Sequence, residues 1–191
     1  DAAFYVSHYL LHKVPILWEF HKIHHSAEVL TPITVYRMHP VDDLLTGTLG
    51  SIAIGILTGF FQTIYDEGLG LFAVAGLHIG LFAFYVLGYN LRHSHIWLTY
   101  PPLMSHIFIS PAQHQMHHSK DPKHFNCNLG FVFAFWDWAT KSLYVPLKKE
   151  EIVFGISGEE PRDYNNIHRL YWRPFVRAFK HLQTTSHKTQ N

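Results

Sequence analysis

Seventeen histidines stand among 191 residues, more than the 15 Lys and Arg or the 14 Asp and Glu. Histidine has one common collective use, which is metal ligation: a neutral imidazole offers one nitrogen lone pair while a neighbour holds the other nitrogen. Three groups carry helical spacing. His8 and His12 are four apart, His21, His24 and His25 are spaced by three and one, and His114, His117 and His118 repeat that second spacing. On a helix, positions three and four apart share a face with Cβ atoms about 5–6 Å from each other, so each group aims a row of imidazoles one way. A lone His-x-x-x-His is a weak signal. The repeated His-x-x-His-His is specific, because adjacent imidazoles with a third one turn earlier have no common packing role. Eight imidazoles exceed the needs of one tetrahedral zinc, so the count points to two metal ions. Spacing alone leaves iron, zinc, copper and nickel open.

The elements that must position these rows are read from charge and hydropathy. Residues 44–64 are 21 consecutive residues without a formal charge, and residues 69–89 are a second stretch of the same length. At 1.5 Å per residue each reaches roughly 30 Å as a helix, one bilayer core. Together they predict a transmembrane hairpin at about residues 44–89, with Gly55 and Gly59, and Gly76 and Gly80, as small-residue pairs for close helix approach. No Lys or Arg lies between Arg37 and Arg92, and the turn carries Asp66 and Glu67. By the positive-inside rule both flanks face the cytoplasm, which brings the imidazole rows before and after the hairpin to one side. The expected fold class is therefore all-α: an integral membrane helical protein with a cytoplasmic, histidine-rich helical cap. Beyond residue 90 the pattern predicts helices near 90–98, 111–119 and 129–142, a loop or short hairpin through 143–163, and a last helix near 165–182. That last helix sets Tyr171, Trp172, Phe175 and Phe179 among Arg169, Arg173, Arg177 and Lys180, a composition suited to a membrane surface, with Pro174 expected to kink it or delay its start.

Composition removes several function classes. Cys127 stands alone, which excludes an intrachain disulfide framework, a Cys-based zinc finger and a thiolate-held iron–sulfur cluster. A formal charge of +1 gives no basic field for nucleic acid. No Gly-x-Gly-x-x-Gly element is present to bind a nicotinamide or flavin. The chain opens at Asp1 directly into the histidine pattern, which reads as a piece of a longer protein.

The strings Asp1-x-x-x-Tyr5-x-x-His8-x-x-x-His12, Leu17-Trp18-x-Phe20-His21-x-x-His24-His25-Ser26, Arg37-x-His39-Pro40 and Pro111-x-x-His114-x-x-His117-His118-Ser119 together resemble the fatty acid hydroxylase/sterol desaturase superfamily of membrane di-iron enzymes. The likeness extends through Asn90-Leu91-Arg92-His93-Ser94, Asn128-x-Gly130 and Trp136-Asp137, so it covers residues 1–146 and leaves 147–191 as a C-terminal extension. Tyr9 departs from the arginine that commonly follows the first box histidine. By resemblance the metal ligands are His8, His12, His21, His24, His25, His114, His117 and His118, with His93 the additional one and His95 next in line. His39 and His124 are expected near the site as orienting groups or further ligands. Asp1, Glu19, Asn90, Asp121, Asn128 and Asp137 are candidates to hold the ligands' other ring nitrogens. His78 falls inside the second span, while His106, His168, His181 and His187 read as solvated or interfacial.

What the resemblance implies is an O2-dependent oxidoreductase with two iron ions, zinc being able to substitute, that hydroxylates or desaturates a fatty acyl chain or sterol. The lipid would enter laterally from the membrane, either a bacterial inner membrane or the endoplasmic reticulum. Electrons would come from a separate donor, cytochrome b5-like or a ferredoxin. Two other classes compete. A membrane metal-binding or metal-transport protein places its ligands near the midplane, and a metal-dependent lipid hydrolase needs fewer histidines and usually a carboxylate base.

Overall fold

The computed structural model describes residues 1–64, 79, 82 and 84–188, and the second arm of the expected hairpin, with His78, Gly76 and Gly80, lies outside them apart from its last turns. Among the described residues the fold is all-helical, without a strand.

Proline sets the first corner. Helix α1 (Ala2–Lys13) stops two residues before Pro15, because a residue preceding proline is pushed out of the helical region, and Val14 is extended at φ −95°, ψ 113°. Pro15 then takes the first position of α2 (Pro15–His25), where its missing N–H costs nothing. The corner folds α1 onto α2, with Ser26 Oγ closing the end of α2 on the Ile23 carbonyl. A short turn at Pro32–Tyr36 leads to α3 (Pro40–Ile64), again opened by proline.

Helix α3 is 25 residues long, about 37 Å at 1.5 Å per residue, and is apolar enough to cross a bilayer. Among the described residues only its base is packed, against α1 and α2; beyond that Ile52, Ile56, Phe60 and Ile64 are exposed. A Cβ added at Gly55 or Gly59 would meet nothing within 4 Å, so this small-residue pair has no helix packed on it among the described residues.

After α3 the described chain resumes in a π-helical turn, Phe84–Tyr89, and one α-turn, Asn90–Arg92. The helix expected over 90–98 ends there, because Ser94 Oγ caps the Leu91 carbonyl and the Gln115 amide takes the carbonyls of Ser94 and Ile96. Helix α4 (Pro102–Ile107) leads to α5 (Pro111–His117), which is capped by a reciprocal pair: Ser110 Oγ accepts from the Gln113 N–H at 3.2 Å, and Gln113 Oε1 accepts from the Ser110 N–H at 2.9 Å. Every residue of α5 is buried.

The aromatic helix expected over 129–142 is shortened to α6 (Phe135–Thr140). Residues 129–134 are held open because carboxylates and α4 compete for their backbone groups. Asp137 accepts the N–H of Leu129 and Gly130, Asp1 accepts those of Val132 and Phe133, and the Ala134 N–H reaches the Ile107 carbonyl. Residues 143–160 form a loop, joined to the end of α5 by a bridge between Ser119 and Phe154. Helix α7 (Ile167–Lys188) outruns its expected end, carries Pro174 within it, and packs along the outer face of α2.

Candidate metal centre

Nine imidazoles converge where α1, α2, the Asn90–Arg92 turn and α5 meet, and they divide into two sets. His8 and His12 of α1, His21 and His25 of α2 and His117 of α5 form one; His24 of α2, His93 and His114 and His118 of the α5 segment form the other. Within each set one nitrogen per ring lies within 4.8 Å of all the others. The three-and-one spacing explains the division. His21 and His25 share one flank of α2 while His24 sits on the next, and His117 and His114 divide α5 likewise. The sets touch through His25 and His118, whose rings stack at 4.4 Å between centroids.

Backbone carbonyls and two side chains fix how the rings point. His8 Nδ1 lies 2.7 Å from the Leu129 carbonyl, His117 Nδ1 2.8 Å from that of Cys127, and His21 Nδ1 3.2 Å from Asp42 Oδ2. His93 Nδ1 is 3.2 Å from Thr34 Oγ1. Each contact leaves Nε2 facing inward.

A metal ion fits these residues on two counts. Buried ring nitrogens without a hydrogen-bond partner include Nε2 of His12, His21, His25 and His117 and Nδ1 of His24, and orphaned polar atoms are expensive in a folded interior. Moreover, Nε2 of His114 lies 3.0 Å from Nε2 of His93 and 3.2 Å from that of His118. A single proton cannot satisfy three converging lone pairs. Nitrogens bound at about 2.1 Å to one ion keep a separation of about 3.0–3.4 Å for bond angles of 90–109°, which is this spacing. Among the described residues no carboxylate belongs to either set, so these donors are all imidazole nitrogen, suited to a borderline transition ion rather than to calcium or magnesium.

Electrostatics holds the rings in their ligating form. Burial pushes His8 and His21 down to about 3 and His93 to about 2, and neighbouring imidazoles add to the effect at His8 and His93. His12, His25, His117 and His118 are lowered for the same two reasons, burial first, and His114 by burial, then by the Arg92 guanidinium and neighbouring imidazoles. All are neutral near pH 7, with lone pairs available.

The remaining candidates lie outside both sets. His95 is exposed. His39 spends both ring nitrogens on backbone, Nε2 donating to the Tyr171 carbonyl at 3.1 Å and Nδ1 accepting from Val41 at 3.1 Å, so it ties α7 to the start of α3. His124 is buried against Tyr144, with Nε2 3.7 Å from Glu150. Asp1 takes Trp136 Nε1 besides its backbone partners, Asn90 accepts from Tyr36 Oη, and Asp121 caps the turn at Pro122. Glu19 faces away from the centre and pairs with Lys22, Arg177 and His181. Asp137 and Asn128 act at one remove: Asp137 holds the Leu129 and Gly130 amides, and Asn128, at φ 51°, bridges the carbonyls of Gln113 and Tyr144. They fix the loop whose carbonyls orient His8 and His117.

Asp42 was not legible as a partner of His21. Its signal, a fully buried acid two residues after a helix-opening proline, exists only once the fold is known. Arg92 is likewise buried, donating to the Phe131 carbonyl with its guanidinium 5.1 Å from the Phe131 ring and 5.6 Å from those of Phe84 and Tyr89. Burial lowers it to about 10, still a cation at neutral pH.

Two cavities reach the imidazoles through different rings. One, of about 270 Å³, runs from His8, His21, His24, His93 and His114 to Thr46 and Gly47 of α3, past Tyr85, Tyr89, Arg92 and Phe131. The other, of about 400 Å³, touches His12, His25 and His117 and is walled by Trp18, Lys22, Lys120, Ser157 and Glu159.

The sequence model of the fatty acid hydroxylase family matches residues 1–142. The chain is 30% identical to the ornithine lipid hydroxylase of Rhizobium tropici over 164 residues, 86% of this chain and 45% of that protein. It is 24% identical to the alkylglycerol monooxygenase of Caenorhabditis elegans over 90% of this chain and 30% of that protein, and 29% identical to human cholesterol 25-hydroxylase over 72% and 45%. The chain thus spans less than half the length of these curated relatives. No solved structure matches it significantly.

Proposed function

Since the chain belongs to the fatty acid hydroxylase family, we propose that it is the metal-binding part of a membrane-bound, O2-dependent di-iron enzyme that hydroxylates a lipid. The observation that carries this reading is the division of nine converging imidazoles into a set of five and a set of four, with inward nitrogens left unpartnered. His8, His12, His21, His25 and His117 would hold one ferrous ion, and His24, His93, His114 and His118 the other. When bound, the two ions supply the reduction of dioxygen and the attack on an unactivated lipid C–H bond. Zinc could occupy the same nitrogens without supporting that chemistry.

The chain's own residues orient and exclude. Asp42, Thr34 and the Leu129 and Cys127 carbonyls hold the rings in place, and the burial that keeps them neutral also keeps bulk water from the reacting carbon. The cavity reaching Thr46 and Gly47 opens beside the apolar α3, so we assign it to the lipid chain, which would slide in from the bilayer past Tyr85 and Tyr89. Hydroxylation is preferred over desaturation because the relatives described above carry the names hydroxylase or monooxygenase. Electrons come from a separate protein, cytochrome b5-like or a ferredoxin. We place α3 as one arm of a transmembrane hairpin and the imidazole sets on the cytoplasmic side, following the cation distribution.

The test is anaerobic purification of the full-length protein with ferrous iron, followed by metal counting and Mössbauer spectroscopy. Two high-spin ferrous ions per chain, and a lipid in expressing cells heavier by one oxygen, are the expected results. One tightly bound ion, or metal movement across vesicles without lipid oxidation, would refute the proposal.

A further inference from the structure

We propose that α7 lies in the plane of the membrane interface and binds anionic lipid headgroups, so that it seats α2, which carries His21, His24 and His25, at a fixed height on the bilayer. This rests on the reading of α3 as a membrane span.

The face that α7 turns toward the protein is narrow. Pro174 and Ala178 are buried, Phe175 meets Phe20 at 5.0 Å between ring centroids, and Arg177 pairs with Glu159 and Glu19. At about 100° per residue, Tyr171, Trp172, Phe175, Val176, Phe179 and Leu182 occupy an arc of about 140° that adjoins that face, with Phe175 and Tyr171 on the border against Phe20 and His39. All six are exposed, Trp172 at 70% and Phe179 at 60%, and His168 shares their arc. Arg169, Lys180 and Arg173 follow along the next strip, where Arg169 also donates to the Arg162 carbonyl and Arg173 is paired with Asp163. Protein on one border, aromatic and aliphatic groups across the middle and cations on the other border is the order of an in-plane helix, whose rings enter the acyl boundary while its cations reach headgroups.

Position supplies the second argument. His39, immediately before Pro40, donates to the Tyr171 carbonyl, which places the apolar arc level with the first turn of α3. A groove of about 620 Å³ runs between Val41 and Leu44 of α3 and Ile167, Tyr171, Trp172 and Phe175 of α7, and Leu44 is itself 70% exposed. The apolar surface of the span therefore continues onto α7, with His39 and His168 the polar residues that line the groove. Where a span leaves the acyl core, tyrosine and tryptophan are the favoured residues. A water-soluble partner would have to cover a surface that is contiguous with lipid. The bilayer covers it by proximity, and anionic headgroups complement the cationic strip at about a fivefold gain in partitioning per charge.

Spin labels test this in the full chain, in a Cys127→Ser background. Trp172→Cys, Phe179→Cys and Ile56→Cys each carry a nitroxide in vesicles of phosphatidylcholine with or without phosphatidylglycerol. The expected result is lipid-type accessibility, high to oxygen and low to a water-soluble nickel chelate, at residues 172 and 179 in anionic vesicles. Arg169→Gln with Lys180→Gln should lower that lipid-bound fraction severalfold in anionic vesicles and leave neutral vesicles unchanged. Water-type accessibility at 172 and 179 with lipid-type accessibility at 56 overturns the proposal and leaves the span intact. Immobilised labels shielded from both oxygen and nickel overturn it in favour of a protein partner. Water-type accessibility at 56 overturns the span itself, and the proposal with it.

Discussion

Asp42 offers a test that separates metal binding from packing. Its carboxyl lies 3.2 Å from His21 Nδ1, the residue is fully buried, and its other oxygen has no hydrogen-bond partner; burial pushes the group up to about 7, so the test is run at pH 8, where it carries its charge. A hydrogen bond to a charged group contributes about 1.5–3 kcal/mol against about 0.5–1.5 kcal/mol for a neutral one. Asp42→Asn keeps an acceptor but removes the charge, so the loss is about 1–1.5 kcal/mol, roughly tenfold in affinity at the five-histidine set. Asp42→Leu removes the bond as well and approaches the hundredfold end of the range for groups that orient metal ligands. The assay is an anaerobic ferrous titration against a competing chelator, run beside thermal unfolding of the metal-free protein. One of two binding phases should weaken, more in Asp42→Leu than in Asp42→Asn, while the phase of the four-histidine set stays put. If both phases move equally, or only metal-free unfolding changes, Asp42 serves the start of α3 and the reasoning fails.

The sets should also come apart by ligand removal: His118→Ala should lower metal content toward one ion per chain while leaving the affinity of the remaining ion near its original value, read by titration with atomic absorption. Gly130→Ala should cost about 3 kcal/mol, the upper end for overpacking, because the new Cβ would stand 2.5 Å from the Phe133 carbonyl and 2.9 Å from both Asp137 Oδ2 and Ile109; chemical denaturation measures it, and an unchanged midpoint would show the loop can shift. Acid should open the metal-free protein. His8, His21 and His93 titrate at about 3, 3 and 2 when folded against 6.5 unfolded, so the unfolded chain binds more protons below pH 6.5 and stability, full above that value, falls as pH drops toward 3. Those three groups together account for up to about 4 kcal/mol per pH unit, and flat stability between pH 6.5 and 5 would contradict their burial.

The helices that carry the imidazole rows could be read because periodicity, proline and capping all agreed there. Pro15, Pro40 and Pro111 each open a helix, and the Ser110–Gln113 pair closes the start of α5 where the histidine spacing begins. Local signals failed where distant groups outbid them. Residues 129–134 have the aromatic content of a helix, yet their N–H groups go to Asp137 and to Asp1, more than a hundred residues away in the chain. Residues 93–98 are drawn open in the same manner by Gln115.

At the centre itself, spacing and resemblance gathered the nine histidines, but not the groups that aim them. The expectation looked to acids near the boxes, and Glu19, one position from Phe20 on α2, was a natural candidate. Helical geometry turns it the other way: two residues before His21 is about 200° around the axis, so Glu19 faces α7 while His21 faces α1. The roles fall instead to Asp42, distant by 21 positions, and to main-chain oxygens of Cys127 and Leu129. A carbonyl is present at every residue and has no signature in a sequence. What selects these two is the loop shape imposed by Asn128 in the left-handed region and by the Asp137 clamp. Asn128 and Asp137 therefore position His8 and His117 through the loop backbone they hold, without touching an imidazole.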